Sequence, residues 1–207
     1  QAQVQLHHLR ITPDEAHLFQ RLANRLLYVD PTSRAAPQEL AKNRRGQPGL
    51  WAYGISGDLP IALVEIETVE EREVARQLLR AHDYWYRKGI AADLVILNSQ
   101  PASYAQGLQE SLESLVRAIP SAAGREGHPQ PGGVFVLRAD TVPAADRTLL
   151  RAAARVVVVA RQGSLSEQVV RLGRSRPGPG PRRHRAPPEA TDAASTPALD
   201  LEFFNGL

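Results

Sequence analysis

Four short apolar runs, separated by longer amphipathic stretches, constrain the fold of this chain more than any other feature. The apolar runs lie at residues 61–66, 94–97, 134–137 and 156–159. Apolar residues recur at helical spacing over about 70–88, 103–119, 143–154 and 164–173. Three of the four runs are nearly continuous rather than alternating, which is typical of parallel strands covered on both faces. We therefore predict an α/β fold, a small three-layer doubly wound domain with a mainly parallel four-stranded sheet.

The sequence before this region predicts an N-terminal helical segment. Thr12, Pro13 and Glu15 form a capped helix start, because threonine can cap, proline suits the first turn and glutamate closes a capping box. This helix is expected over about 13–28, and a short second helix over about 37–43. The chain therefore divides into four predicted parts: a strand and helical linker that ends in an aromatic-glycine loop (1–59), the α/β domain (60–173), a Pro/Arg-rich linker (174–198) and the start of a further domain (199–207).

Residues 174–198 have the composition of a disordered linker. They contain six prolines, and residues 174–186 hold five arginines and no acidic residue. Such a stretch lacks the apolar anchors that would offset its ordering entropy. An alternative is that the arginines touch nucleic acid or anionic lipid. The formal net charge of the whole chain is only +3, so the basicity is local and we expect no nucleic-acid partner.

Composition excludes several classes of site. Cysteine is absent, so disulfides, thiol nucleophiles and cysteine metal sites are excluded. Lys42 and Lys88 are the only lysines and neither lies in a phosphate-binding motif, while no histidine pair has metal-ligand spacing. We therefore predict no catalytic residue, no cofactor and no metal site in this chain. No apolar run reaches the roughly 18 residues of a membrane span, so we expect no membrane insertion by this segment.

The chain also contains no methionine, even at position 1. We expect from this that it was processed or cut from a longer protein.

Polar residues follow each predicted strand, at the edge where doubly wound sheets bind ligands. These residues are Glu67 and Thr68, Asn98 and Ser99, Arg138 and Asp140, and Arg161 and Gln162. The sequence therefore predicts a candidate strand-end pocket at Asn98, Asp140 and Gln162. The alternative is that they are ordinary polar residues of surface loops.

Residues 50–60 combine two aromatic rings, two glycines, a hydroxyl and a carboxylate in one predicted loop. Aromatic rings cover the apolar C–H face of a sugar, while nearby polar groups take its hydroxyls. Trp51, Tyr53, Ser56 and Asp58 are therefore a candidate carbohydrate-binding site. The alternative is that the two aromatic rings anchor the loop on the sheet.

Several long strings resemble bacterial cyclic β-1,2-glucan synthases. They are LWAYGISGDLPI at 50–61, QLLRAHDYW at 77–85, DLVILN at 93–98, GGVFVLRAD at 132–140 and LFQRLA at 18–23. The closing FFNGL at 203–207 resembles the opening of the domain that follows in this family. The resemblance covers nearly the whole chain except the Pro/Arg-rich linker, which departs from the family pattern.

The resemblance implies a place within a very large inner-membrane protein. Members of the family carry a glycosyltransferase region that polymerises glucose from UDP-glucose. They also carry a part similar to cellobiose phosphorylases of glycoside hydrolase family 94, with β-sandwich domains and an (α/α) barrel. This chain would lie between two sandwich domains, ahead of the barrel and on the cytoplasmic side of the membrane. The barrel carboxylates of the family lie downstream and have no counterpart here.

Two hypotheses for function follow from the residues and the resemblance. The first is a non-catalytic α/β segment of such an enzyme, which links and positions its sandwich and barrel domains and contacts the β-glucan. Its partners would be the flanking domains of the parent enzyme. The second is a free-standing module that binds a sugar or a nucleotide at the strand ends.

Overall fold

The computed structural model describes residues 11–101, 105–119 and 132–174, and within them it confirms the predicted α/β fold. The helices are α1 (Pro13–Leu27), α2 (Pro37–Leu40), α3 (Pro48–Trp51), α4 (Arg72–Arg87), α5 (Ala105–Arg117), α6 (Ala144–Ala153) and α7 (Leu165–Arg174). The strands are β1 (Ile61–Ile66), β2 (Asp93–Asn98), β3 (Val134–Arg138) and β4 (Val156–Val159). Short 3-10 turns cover Pro31–Ser33 and Ala160–Gln162.

The four strands form one sheet in the order β3-β2-β1-β4, and every pairing is parallel. Ile66 lies opposite Asn98, and Asn98 lies opposite Arg138, so these strands end at the same level. The chain moves outward from β1 to β3 and then returns to place β4 on the other side of β1. This return is the doubly wound arrangement that the sequence predicts.

Burial differs between the central and the edge strands. All residues of β1 and β2 are buried, as their continuous apolar runs indicate. Strand β3 is half-buried along its length, and β4 alternates between buried and half-buried residues. The outer strands are paired on one side only and are therefore more exposed. Their apolar runs resemble those of the central strands, so the sequence alone does not show which strands lie at the edge.

Helices α1, α4, α5 and α7 cover one face of the sheet. Their apolar side chains form a single core with Ala62, Val64, Leu94 and Ile96 of the central strands. The indole Nε1 of Trp85 donates to the carbonyl of Phe19 at 2.8 Å, which satisfies the polar atom of a fully buried ring. The first helix is thereby fastened to α4.

Helix α6 covers the opposite face, together with the short helices α2 and α3. Leu149 and Leu150 of α6 pack with Leu50 and Ile55 and with the residues of β1 and β2 that point to this side. The sheet is therefore sandwiched between two layers of helices, as the three-layer prediction requires.

The segment that leaves α1 joins these two layers. Ser33 Oγ donates to the carbonyl of Arg155 at 2.9 Å, and Arg34 donates to the carbonyl of Ala152 at 2.7 Å. Arg155 in return donates to the carbonyl of Leu26 at 2.8 Å. These bonds tie residues 26–34 to the turn between α6 and β4.

Most predicted elements are found close to their predicted bounds, with one omission. Residues 50–60 were expected to be a loop, but α3 occupies Pro48–Trp51, with proline at its first position. The capping box of Thr12 and Glu15 is present at the start of α1. The Pro/Arg-rich linker, residues 199–207 and the apolar stretch near residues 4–9 lie outside the described residues. The domain boundaries remain predictions.

The close approach of Gly132, just before β3, to the backbone of Ala92 can be tested by comparison with Gly89, a second glycine with positive φ. Gly132 has φ +103°, and a Cβ there would lie 2.2 Å from the carbonyl oxygen of Ala92. Gly89 has φ +74° and no atom within 4 Å of such a Cβ. We expect Gly89→Ala to destabilise the protein by about 1 kcal/mol, through left-handed strain alone. Gly132→Ala adds a steric clash, and we expect a loss of about 3 kcal/mol or more.

Urea unfolding of both variants measures this difference. Equal losses of unfolding free energy in the two variants would show that the close approach of Gly132 to Ala92 is wrong.

Candidate functional site

The order of the strands creates a switch point between β1 and β4. The connection that leaves β1 passes over the α4 face, whereas the connection that reaches β4 passes over the α6 face. Loops therefore separate at the carboxyl ends of these two strands and leave a crevice between them. Ligands of doubly wound folds bind in such a crevice.

A cavity of about 400 Å³ lies at this switch point. Val157 and Val159 line it, which accounts for their partial exposure in a strand whose other two residues are buried. Its polar lining residues are Thr32, Ser33, Arg34, Glu39, Glu65, Arg151, Arg161, Gln162, Gln168 and Arg171. Two further cavities, of about 530 and 160 Å³, adjoin Arg151 as well, so this side chain is shared by all three.

Arg151 of α6 is held between two carboxylates at the centre of this region. Its Nε and Nη2 donate to the two oxygens of Glu65 at 2.6 and 2.7 Å, and Nη1 donates to both oxygens of Glu39 at 3.1 Å. The hydrogen bonds with Glu65 raise the pKa of the Arg151 guanidinium and outweigh the opposing effect of its partial burial. The side chain of Glu65 is only 8% exposed, so its charge is neutralised inside the protein.

One partner of this ion pair could be recognised in the sequence, although it lies within the apolar run of a predicted strand. Glu65 is the one charged residue in the apolar run 61–66, and a buried carboxylate needs a cationic partner. Arg151 lies 86 positions later, so no local spacing connects the two residues.

The structure does not bring the three predicted strand-end residues into one cavity. Asn98 is buried, and its amide bonds to Gln100 and to Gln109 of α5, on the face opposite α6. Asp140 borders the cavity of about 530 Å³, where a hydrogen bond from Arg138 lowers the pKa of its carboxyl. Gln162 lines the switch-point cavity instead.

Of the four residues predicted to bind carbohydrate in the aromatic-glycine loop, all except Tyr53 are exposed at the surface. Trp51 is 61% exposed, and its indole Nε1 donates to the carbonyl of Ser56 at 3.2 Å. The amide of Gln47 donates to the same carbonyl at 2.8 Å and to the carboxylate of Asp58 at 2.9 Å. The backbone N–H of Asp58 donates to Ser56 Oγ at 3.1 Å. An exposed indole ring is thus fixed beside a hydroxyl and a carboxylate.

Tyr53 has a different role from Trp51. It is half-buried, and its hydroxyl donates to Asp146 of α6 at 2.9 Å. Burial and this hydrogen bond raise the pKa of the Tyr53 phenol. Asp146 also pairs with Arg45. Tyr53 therefore anchors the loop, as the alternative interpretation of the two aromatic residues expects, whereas the ring of Trp51 faces solvent.

His82 is a buried histidine of α4. Its Nε2 donates to the carbonyl of Ala92 at 2.9 Å. Burial lowers the pKa of its imidazole, while the Ala92 carbonyl and the nearby carboxylates of Asp93 and Asp83 act in the opposite direction. Among the described residues, no group of three or more histidine, aspartate and glutamate side chains is placed to hold a metal ion.

A membrane span is not found in residues 11–101, 105–119 and 132–174. Within these ranges no helix is both long and apolar enough to cross a bilayer.

Comparison with known proteins shows similarity to a bacterial glucan synthase. The chain is 36% identical over 170 residues to the cyclic β-(1,2)-glucan synthase NdvB of Rhizobium meliloti (strain 1021). The match covers 82% of this chain but only 6% of the length of that relative. No protein-family model matches the chain. The similarity confirms the resemblance that the sequence strings indicate.

The two carboxylates around Arg151 are expected to contribute unequally to stability. Glu65→Gln removes a buried charge partner of Arg151, and we expect a loss of about 2 kcal/mol. Glu39→Gln changes a carboxylate that is 40% exposed, so we expect a loss of about 0.5 kcal/mol. Urea unfolding near pH 7 measures both values. Losses of the same size would contradict the assignment of Glu65 as the main partner.

The buried imidazole of His82 is expected to make stability depend on pH. Its pKa in the folded protein lies below the ordinary value of 6.5, so the unfolded chain binds a proton more readily. The free energy of unfolding should therefore fall as the pH decreases from about 7.5 to 5.5. His82→Gln should flatten this slope, and the matched control His17→Gln at an exposed position should retain it. A His82→Gln protein with the wild-type slope would disprove the effect.

Proposed function

Because the chain resembles a segment of the cyclic β-1,2-glucan synthase family, we propose that it is a non-catalytic α/β segment of such an enzyme. Its role is to link and position neighbouring domains and to contact the glucan chain. Similarity to the glucan synthase of Rhizobium meliloti supports the assignment to glucan synthesis.

The exposed ring of Trp51 is the observation that carries the proposed contact with glucan. Its indole N–H is already bonded to the Ser56 carbonyl, so the ring is oriented before a ligand arrives. An exposed aromatic face that is held in place loses little conformational entropy on binding. The hydroxyl of Ser56 and the carboxylate of Asp58 are close enough in the loop to bond to sugar hydroxyls.

A positioning role is supported by the way the loop is fastened. Leu50 and Ile55 are buried in the α6 face, and Tyr53 bonds to Asp146, so the loop moves with the sheet and not independently of it. A sugar held on Trp51 is thereby held at a fixed place relative to the whole α/β layer. The partners proposed for this layer are the flanking domains of the parent enzyme, on the cytoplasmic side of the bacterial inner membrane.

A second candidate function is a free-standing module that binds a small molecule, a sugar or a nucleotide. The observation that favours it is the cavity at the switch point between β1 and β4. This is where doubly wound folds hold their ligands. It differs from the first candidate in the surface used, which is the crevice rather than the loop.

Binding of β-1,2-linked gluco-oligosaccharides to the 207-residue chain tests the proposed contact. We expect Trp51→Ala to weaken binding about tenfold in isothermal titration, because the aromatic face is lost. Tyr28→Ala, which removes a 74% exposed aromatic ring just after the C-terminal end of α1, is the matched control and should bind as the wild type does.

Three outcomes would contradict the proposed function. The first is that the wild-type chain does not bind the oligosaccharides, and the second is that the Tyr28→Ala control loses as much affinity as Trp51→Ala. Glucan synthesis or phosphorolysis by the chain alone would contradict the non-catalytic role.

A further inference from the structure

The backbone N–H groups after β1 are occupied by a side chain of the protein itself. In doubly wound folds that bind nucleotides, such groups at the strand end and helix start hold a phosphate. Here the N–H groups of Glu67 and Thr68 both point to Oε2 of Glu71, at 2.7 and 3.4 Å. A negative charge already fills the position that a phosphate would take.

The start of α7, which follows β4, is filled in the same way. Ser164 N–H donates to Oε2 of Glu167 at 2.9 Å, and Glu167 N–H donates to Ser164 Oγ at 3.3 Å. This capping box satisfies the first donors of the helix with a carboxylate. The strand end after β1 and the start of α7 therefore both hold a carboxylate already, which repels an anion rather than attracting one.

The charged side chains of the crevice balance one another. The switch-point cavity itself is lined by four arginines and two glutamates, and the adjoining cavity of about 160 Å³ adds two further glutamates, so the two linings together, among the described residues, hold equal numbers of cations and anions. The cations are Arg34, Arg151, Arg161 and Arg171, and the anions are Glu39, Glu65, Glu67 and Glu71. Arg151 is neutralised by two carboxylates, and Arg161 lies 3.4 Å from Glu67. The excess of arginines in the switch-point cavity is thus offset by carboxylates of the same region, which leaves little net charge to offset the desolvation of a phosphate.

The same lining offers many neutral and paired hydrogen-bonding groups. Thr32, Gln162 and Gln168 contribute hydroxyl and amide groups to the wall of the cavity. Arg34 also lines it, with its Nη2 already bonded to the carbonyl of Ala152.

From these observations we infer that the crevice between β1 and β4 binds an uncharged polyhydroxyl ligand and excludes ligands that carry phosphate. A sugar unit supplies both donors and acceptors without a net charge, which matches a wall that contains paired cations and carboxylates together with hydroxyl and amide groups. A cavity of about 400 Å³ is in the size range of small-molecule sites. The choice of a glucan unit as this ligand rests on the proposed function, and the exclusion of phosphate does not.

The wall of the crevice that Glu39 and Arg151 form lies on the same side of the sheet as Trp51. Glu39 and Arg151 belong to α2 and α6, and the loop that carries Trp51 packs against α6 through Leu50. The crevice would therefore be a second place of contact for the glucan chain.

Isothermal titration of the 207-residue chain with three probes tests the inference. β-1,2-Linked gluco-oligosaccharides should bind, while inorganic phosphate and UDP-glucose should bind at least tenfold more weakly. Gln162→Leu removes an exposed amide of the crevice and should weaken oligosaccharide binding roughly fivefold, the effect of one neutral hydrogen bond. Gln106→Leu, on the exposed surface of α5 across the sheet, is the matched control and should bind as the wild type does.

Amide chemical shifts give a measurement that does not depend on any variant. The N–H resonances of Arg161, Gln162 and Gly163 should move when the oligosaccharide is added to the wild-type chain, and should not move when phosphate is added. Shifts with phosphate, or UDP-glucose binding tighter than the oligosaccharide, would overturn the inference.

The outcomes separate this inference from the proposed function. Binding that is lost in Trp51→Ala but unchanged in Gln162→Leu, with no shifts near Gln162, overturns the crevice and leaves the loop contact standing. Binding that is lost in Gln162→Leu but not in Trp51→Ala supports the crevice and overturns the loop contact. A wild-type chain that binds no oligosaccharide overturns both.

Discussion

The charge of Glu65 has to be neutralised inside a strand that is otherwise apolar and buried. Arg151 supplies this neutralisation, and the geometry is bidentate, with two short hydrogen bonds. The pair sets the rotation of α6 over the sheet, because Arg151 faces β1 only in one orientation of the helix. The third member, Glu39, brings the short helix α2 to the same place. The walls of the crevice therefore depend on one buried carboxylate.

The fold was predictable from the sequence to the extent that burial leaves a local pattern. The runs at β1 and β2 are continuous because both faces of these strands are covered, and their bounds were predicted within one residue. Helix α3 was missed because four residues that include a proline and a glycine carry no helical periodicity. The distinction between central and edge strands was not predictable, because it depends on pairing between distant parts of the chain.

The candidate site was predictable at the level of the backbone and less so at the level of side chains. Parallel strand ends meet at one edge, so residues after β2, β3 and β4 were expected there. The direction of each side chain depends on packing, and the amide of Asn98 turns to Gln109 on the α5 face while Gln162 lines the crevice. In the loop, Trp51 and Tyr53 are two positions apart, yet one faces solvent and the other bonds to Asp146. Sequence spacing alone does not separate a ring that anchors from a ring that is presented.

The pairing of β1 with β4 has a consequence for the order in which the protein forms. Ala62 lies beside Val156, more than 90 positions later in the chain, so this contact closes the largest loop in the sheet. Loop closure of this length is slow relative to the formation of helices and of nearer strand pairs. The two walls of the crevice therefore meet only after β2 and β3 have been synthesised and β4 has emerged. A growing chain of this sequence completes its aromatic loop and its crevice late, because the loop packs against α6, which is synthesised just before β4.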